Sequence, residues 1–499
     1  MKQLIHNGVL IPKKPGWKKL HVFVRGKRLD LSPEQEEMAV AWVKKLGTEY
    51  VEDPVFADNF FKDFREALGV KEKIPPEEFD FFPVMKEVER EKAYKLGLTK
   101  EQKKQQVADR KRAREENKER YGYAWIDGVK VELGNYMAEP SSIFMGRGKH
   151  PLRGLWKHGP SESDITLNMS PDASRPPGKW KHVVWQPNSM WIAKWDDKLR
   201  GKEKYVWLAD SSPLKQKKDI EKFDKAAALR KKIDAVRKHI LENLDAGDVT
   251  RRKTATVCFL IDALKLRVGD EKDPDEADTV GATTLRPEHI SFGRDCMVTF
   301  DFLGKDAVRW EKQARLPEQV VMNIQEFIGS TKSSIFEGVG SQNVSLFIDE
   351  VAPGVSAKVF RTYHASKVVD DFLSASRVSE PDPDYEKKHV ATMANLEAAI
   401  ICNHKRKPPK KWSESLAKKV ERLNKLKAKG TPSALKQAKI LQYRIEDTKA
   451  TKDYNLGTSL KSYIDPRIYY KWGRKVGFDW KLHYPKTLQK KFSWVEGKG

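Results

Sequence analysis

The stretch LGTSLKSYIDPR, residues 456–467, sets Tyr463 between a Gly-Thr-Ser cluster and an Asp-Pro break near the end of a 499-residue chain. A tyrosine placed there is either a half-buried aromatic or a nucleophile. A phenol has a pKa of about 10 and attacks poorly at neutral pH, so the second reading requires other side chains to activate it. If its target is a phosphodiester, charge builds on the phosphate oxygens during attack and cations must meet it. Guanidiniums hold such oxygens through paired N–H bonds, whereas a lysine can surrender a proton to a leaving oxygen and an arginine practically cannot. Such chemistry needs no metal, and no cluster of carboxylates with metal-ligand spacing is evident. No GxxxxGK[ST] phosphate loop is present either, so no ATP is expected to be consumed.

Composition agrees with an anionic target. Lys and Arg total 95 against 71 Asp and Glu, a formal net charge of +24. Disordered basic tails are poor in aromatics, but this chain holds 14 Trp, 14 Tyr and 21 Phe, so most of it should fold. A folded, strongly cationic protein points to a polyanion, most simply nucleic acid. Cys258, Cys296 and Cys402 are far apart and form no CxxC pair, which argues against a zinc site or a disulfide framework. No apolar run approaches the roughly 20 residues of a membrane span, and the opening MKQLIHNGVLIPKK is too weakly apolar for a signal peptide. A soluble, intracellular protein is expected.

The elements that must position Tyr463 are partly legible. Residues 1–97 mix strand-like (19–24) and helical (33–47) pieces, and 99–120 is a charged helix with almost no apolar stripe. Segments 180–195 and 204–210 read as strands, with Pro187-Asn188-Ser189 as a turn between two of them. Phe223, Ala226, Ile233, Val236, Ile240 and Leu244 recur at helical spacing, and much of 213–410 reads as helical. The exception is MVTFDFLGKDAVRW, 297–310. Val298, Phe300 and Phe302 alternate on one arm, Val308 and Trp310 lie on the other, and Gly304-Lys305-Asp306 therefore forms the tip. A lysine there is either solvated or free to enter a site. Leu416, Val420, Leu423 and Leu426, then Leu435, Ala438, Leu441 and Ile445, predict two antiparallel helices broken at Gly430, with Thr431 as cap. This basic arm joins the tyrosine segment to the rest.

Five motifs, KLRVGDEKDPDEADTVGATTLRPEHI, FDFLGKDAVRW, AKVFRTYHAS, ICNHKRKPPK and LGTSLKSYIDPRI, follow one another in an order that resembles eukaryotic-type DNA topoisomerase IB. FMGRGKHPLRG (144–154) and PPGKWKHVVW (176–185) resemble its clamp segment. The resemblance implies that Tyr463 forms a 3′-phosphotyrosine bond, leaving a 5′ hydroxyl. It implies that Arg267 and Arg361 bind the phosphate, Lys305 protonates the leaving 5′ oxygen, and His404 hydrogen-bonds a non-bridging oxygen. Arg147, Asp306, Lys358, Thr458 and Ser462 fall on positions beside or on the DNA. Read singly, these residues have ordinary explanations: Arg267 complements a helix end, and His404 joins the Lys405-Arg406-Lys407 patch.

The implied fold is an α+β multidomain protein, a bilobed DNA clamp. Its parts would be a mixed α/β cap over 1–212, a mainly helical catalytic core of the tyrosine recombinase/topoisomerase IB type over 213–410, a helical-hairpin linker arm over 411–449, and a C-terminal domain over 450–499. The implied activity is relaxation of supercoils in double-stranded DNA by a monomer, without a cofactor. A tyrosine recombinase-like strand transferase and a non-catalytic nucleic-acid-binding protein are the other readings. The family pattern is Ser-Lys-x-x-Tyr; here Lys461 has moved by one, and Ser462 stands where asparagine is common. That asparagine helps hold camptothecin-type inhibitors, so those ligands stay open while the tyrosine does not. A long charged N-terminal tail is not seen, and this compactness resembles archaeal relatives more than animal ones. The expected setting is chromosome-associated, in the nucleoid or the nucleus accordingly.

Overall fold

A computed structural model describes residues 1–498 except 147, 270–279 and 331–332. The protein is mixed α/β and multidomain, with helices predominating over several small sheets. The chain divides into two compact units, residues 1–215 and the described residues from Gln216 onward. The division falls in the first turn of a 30-residue helix, Pro213–Glu242.

The first unit has two cores. One is aromatic: helix Pro54–Ala67 repeats phenylalanine every fourth residue, which sends Phe56, Phe60 and Phe64 to one buried face. Trp42, from helix Pro33–Val43, stacks on Phe60 with ring centroids 4.5 Å apart. The start of that helix is fixed by a capping box, in which Ser32 accepts from the Gln35 N–H and the Gln35 side chain accepts from the Ser32 N–H. The other core lies under a four-stranded sheet ordered His182–Val184, Thr166–Asn168, Trp191–Asp197, Lys202–Trp207. The strands on either side of Pro187 do not pair with each other, as a simple turn would make them. Both flank Thr166–Asn168, one parallel and one antiparallel. That strand is buried at every position, so it shows none of the alternation that marks a strand in sequence. Helix Lys100–Tyr121, capped by Thr99, buries no residue, as its missing apolar stripe requires.

The second unit is mainly helical, with a three-stranded sheet in which Ile290–Phe292 pairs beside one prominent hairpin. Strands Met297–Gly304 and Val308–Arg315 pair antiparallel, and their inward residues Val298, Phe300, Phe302 and Trp310 enter the core. The Phe302 and Trp310 rings stack at 5.1 Å. A single turn, Lys305–Ala307, closes the tip. Toward the end of the chain, helices Trp412–Lys429 and Pro432–Ala450 pack on each other through Leu423, Ala438, Leu441 and Ile445. Gly430 makes the turn at φ 63°, a conformation glycine adopts freely, and Thr431 caps the return helix. Leu435, expected in this seam, is 49% exposed; Ala434 is buried instead. Along a 3.6-residue period, 434, 438, 441 and 445 share a face from which residue 435 is turned by about 100°.

One backbone contact sets the geometry of the segment that carries Arg267. After helix Val249–Leu264 the chain runs beside residues 280–283. The Ala282 N–H donates to the Arg267 carbonyl at 2.8 Å and the Thr283 N–H to that of Val268 at 2.7 Å. The Val280 N–H donates to the Leu303 carbonyl at 2.7 Å, tying this pair to the hairpin that bears Lys305. Gly269, at φ +117°, and Gly281 approach so closely that a Cβ on Gly281 would lie 2.4 Å from the Gly269 Cα. Gly281→Ala should therefore force these backbones apart and destabilise the second unit by about 1–3 kcal/mol. A urea-denaturation midpoint unchanged from wild type would contradict this close approach.

Candidate active site

Arg361 lies on helix Ala357–Ala375 and is only 6% exposed. Its Nη1 donates to the carbonyl of Lys265 at 2.8 Å and its Nη2 to the carbonyl of Cys402 at 2.8 Å. Both acceptors are helix caps. Lys265, left-handed at φ 60°, terminates Val249–Leu264, and Cys402 terminates Asp384–Ile401. The last carbonyls of a helix lack intrahelical partners and carry its negative end, so a guanidinium between two such termini is doubly favoured. Hydrogen bonds from a charged donor are worth about 1.5–3 kcal/mol each. A guanidinium has five N–H donors, so these two bonds leave three. Among them, the Nε–H is buried and meets no acceptor among the described residues.

Against this fixed cation lie the other two rings of the site. The Arg361 Cζ is 5.2 Å from the centroid of the Tyr463 ring, and the His404 ring centroid is also 5.2 Å from it. His404 Nε2 is 3.5 Å from Arg361 Nη2, while its Nδ1 is buried without a partner among the described residues. Burial, followed by the charges of Arg361 and Arg267, lowers the His404 pKa from 6.5 to about 3. The ring is therefore neutral at pH 7, with one N–H. With Nε2 accepting from Arg361, the proton sits on Nδ1 and that N–H goes unsatisfied, at a cost of about 1–3 kcal/mol.

Arg267 completes the group. Burial and the like charge of Arg361 lower its proton affinity, offset in part by the nearby Tyr463 phenol. Arg267, Arg361 and His404 line an open cleft of about 170 Å³ that also takes in Lys305, Lys405 and Thr458; Tyr463 lies behind this lining, against Arg361 and His404. Among the described residues that line the cleft, four are cations, Arg267, Lys305, Arg361 and Lys405, and none is a carboxylate.

Local folding brings these parts together. Helix Asp384–Ile401 ends in Cys402 and a left-handed Asn403 (φ 53°), whose side chain donates to the Arg309 carbonyl of the Lys305 hairpin at 3.3 Å. The next residue, His404, accepts the Asn455 N–H on its own carbonyl at 2.7 Å. Asn455 is the cap of the short helix Leu456–Ser462, and Tyr463 follows at that helix's end. Lys405 and Tyr454 form an isolated bridge, so the long helical pair leaves the site and returns to it at adjacent positions. The remaining site expectations are distributed as follows. Ser462 directly precedes Tyr463 at the helix end, and Lys358 is exposed in the first turn of the Arg361 helix. Asp306 sits beside Lys305 in the hairpin turn. Arg147 lies outside the described residues. Sequence reasoning missed the carbonyls of Lys265 and Cys402, Asn455 and Ser366. Carbonyl acceptors carry no residue-type signal, and a capping Asn or a helical Ser is too common to stand out.

Comparison with known proteins matches three family descriptions in succession. Residues 1–208 match "Eukaryotic DNA topoisomerase I, DNA binding fragment", 211–437 "Eukaryotic DNA topoisomerase I, catalytic core", and 435–498 "C-terminal topoisomerase domain". The chain is 36% identical to DNA topoisomerase 1 beta of Arabidopsis thaliana over 99% of its own length and 58% of that protein's. It is 32% identical to DNA topoisomerase 1 of Homo sapiens, covering 99% of this chain and 70% of the human one. The corresponding figures for the Drosophila melanogaster protein are 33%, 94% and 51%. The chain thus spans little more than half the length of the plant and fly relatives. With all three descriptions met in order along it, the chain belongs to the eukaryotic DNA topoisomerase I family.

Proposed function

We propose that this chain is a type IB DNA topoisomerase that relaxes supercoils in duplex DNA through a transient tyrosyl-phosphate bond. The observation that carries the reading is a cleft whose described lining holds four cations and no carboxylate, with the Tyr463 ring set against Arg361 and His404. In the proposed reaction the Tyr463 Oη attacks the phosphorus of one DNA strand and loses its proton to water. The bond from phosphorus to the 5′ oxygen breaks, and that oxygen takes a proton from the Lys305 ammonium. The product is a 3′-phosphotyrosine and a free 5′ hydroxyl. Arg267 and Arg361 hold the non-bridging oxygens as charge grows on them, and the neutral His404 donates its one N–H there. Preorganised donors of this kind are worth roughly 3–4 kcal/mol each at comparable sites. The new phosphodiester is close in energy to the old one, so the same residues run the reaction backward and no nucleotide is consumed.

In this reading Lys358, Thr458, Ser462, Asp306 and Arg147 position the duplex by its backbone, which fixes register without reading sequence. The first unit, matched as a DNA-binding fragment, serves with the second as a clamp on the duplex. Its proposed limits are 1–212 for the cap, 213–410 for the core, 411–449 for the linker and 450–499 for the tyrosine domain. The basic surfaces of cap and linker slow the rotating DNA end.

The direct test is relaxation of a supercoiled plasmid in EDTA without ATP. Wild type should relax it, and Tyr463→Phe should bind DNA but leave it supercoiled; relaxation by the variant at the wild-type rate would remove Tyr463 from the role. The buried His404 gives a second, independent measurement. Its folded pKa, about 3, lies below the ordinary 6.5, so the unfolded chain binds more protons between those values. Stability present above about pH 6.5 is therefore lost progressively as pH falls toward 3, with a slope of up to about 1.4 kcal/mol per pH unit for one such group. His404→Gln cannot take up that proton and should flatten the stability curve between about pH 6 and about pH 4. Equal slopes for variant and wild type would show that His404 is not held neutral by the two arginines and burial.

A further inference from the structure

Tyr463 stands between two helices, and neither dictates its backbone. It follows the last residue of Leu456–Ser462 with φ −123° and ψ −26°, and Asp465 caps the next helix, Pro466–Val476. The Tyr463 N–H is held from its own side, donating to the Ser459 carbonyl at 2.9 Å. The Tyr463 carbonyl and the Asp465 N–H belong to neither helical ladder, and both are met by one side chain from elsewhere. Ser366 Oγ donates to the Tyr463 carbonyl at 3.2 Å and accepts the Asp465 N–H at 3.0 Å. Ser366 lies on helix Ala357–Ala375, five residues after Arg361. A hydroxyl suits this task because it supplies one donor and accepting lone pairs on a single atom.

We propose that Ser366 is a positioning residue for the tyrosine. By gripping the peptide groups on either side of Ile464, it fixes the plane of the Tyr463 carbonyl and hence the direction of the Tyr463 Cα–Cβ bond. Because the grip comes from the helix that carries Arg361, nucleophile and phosphate-binding cation are referred to one rigid element. The phenol oxygen therefore meets the phosphorus at a set distance from the guanidinium. A displacement of about 1 Å at a reacting atom can cost a hundredfold in rate, so the clasp acts on the chemical step and not on DNA affinity. Ser366 itself touches no reacting atom. It is also distinct from the deeper contact between helices Leu456–Ser462 and Asp384–Ile401, where buried Ser459 donates to Asn395 at 2.9 Å and a substitution would disturb the core.

This inference rests on Tyr463 being the nucleophile, and the experiment separates the two. The full-length protein and its Ser366→Ala, Ser366→Cys and Ser366→Thr variants are mixed with a suicide duplex whose cleaved end cannot be religated, and covalent adduct is followed in a single turnover. Duplex affinity and the urea midpoint are measured alongside. Alanine, and cysteine with its weak hydrogen bonding, should slow adduct formation roughly ten- to a hundredfold. Affinity should stay within about twofold, and threonine, which keeps the hydroxyl, should restore most of the rate. An Ala variant that reacts at the wild-type rate overturns the inference while leaving the nucleophile in place. So does an equal deficit in all three variants, or a deficit that tracks lost affinity. No adduct with wild type would overturn the role of Tyr463 and this inference together, before any variant is compared.

Discussion

The geometry of the candidate site depends on a buried guanidinium that closes the ends of two helices. Arg361 meets the carbonyls that terminate Val249–Leu264 and Asp384–Ile401 and so holds the two helix ends at one point. The same contacts settle where its unused N–H groups face. Burial ordinarily penalises an unpaired charge, and here two helix ends offset that penalty with oriented dipoles. The cation is thus positioned before any ligand arrives, which is the condition under which electrostatic stabilisation costs no reorganisation during reaction.

From that fixed point the other groups follow by short connections. Residues 265–268 lie against 280–283, and Val280 is bonded to the hairpin strand that leads to Lys305. Cys402 leads through a left-handed Asn403 to His404, and His404 is bonded to the cap of the tyrosine helix. Side chains nearly two hundred positions apart in sequence are therefore linked by a few backbone hydrogen bonds. The helical pair 412–450 intervenes between His404 and Tyr463 without separating them, since its two helices have nearly equal lengths and bring the chain back to Lys405.

What was legible in the sequence had a period or a punctuation mark. The Lys305 hairpin announced itself through alternating Val298, Phe300 and Phe302, and the helical pair through its stripe and its Gly-Thr-Pro break. The seam slipped at Leu435 because a leucine beside an alanine draws the eye, although the alanine is the residue on the correct face. The parallel strand Thr166–Asn168 was invisible because full burial erases alternation. Arg267, Arg361 and His404 had no local signature as a group and were gathered by the order of family motifs. Ser366 lies inside one of those motifs, but its contacts are to backbone atoms, which no residue pattern specifies.

The central claim is that an arginine anchored by two helix termini makes a nearby phenol reactive toward a DNA phosphate. Arg361→Lys tests it most directly, since lysine keeps the positive charge but has no planar fork to reach both carbonyls and a phosphate. The measurement is the single-turnover rate of covalent adduct formation on a suicide duplex, with duplex affinity measured in parallel. The account predicts a fall of roughly 10²–10³-fold in that rate with a much smaller change in affinity. Adduct formation by the lysine variant at the wild-type rate would contradict it.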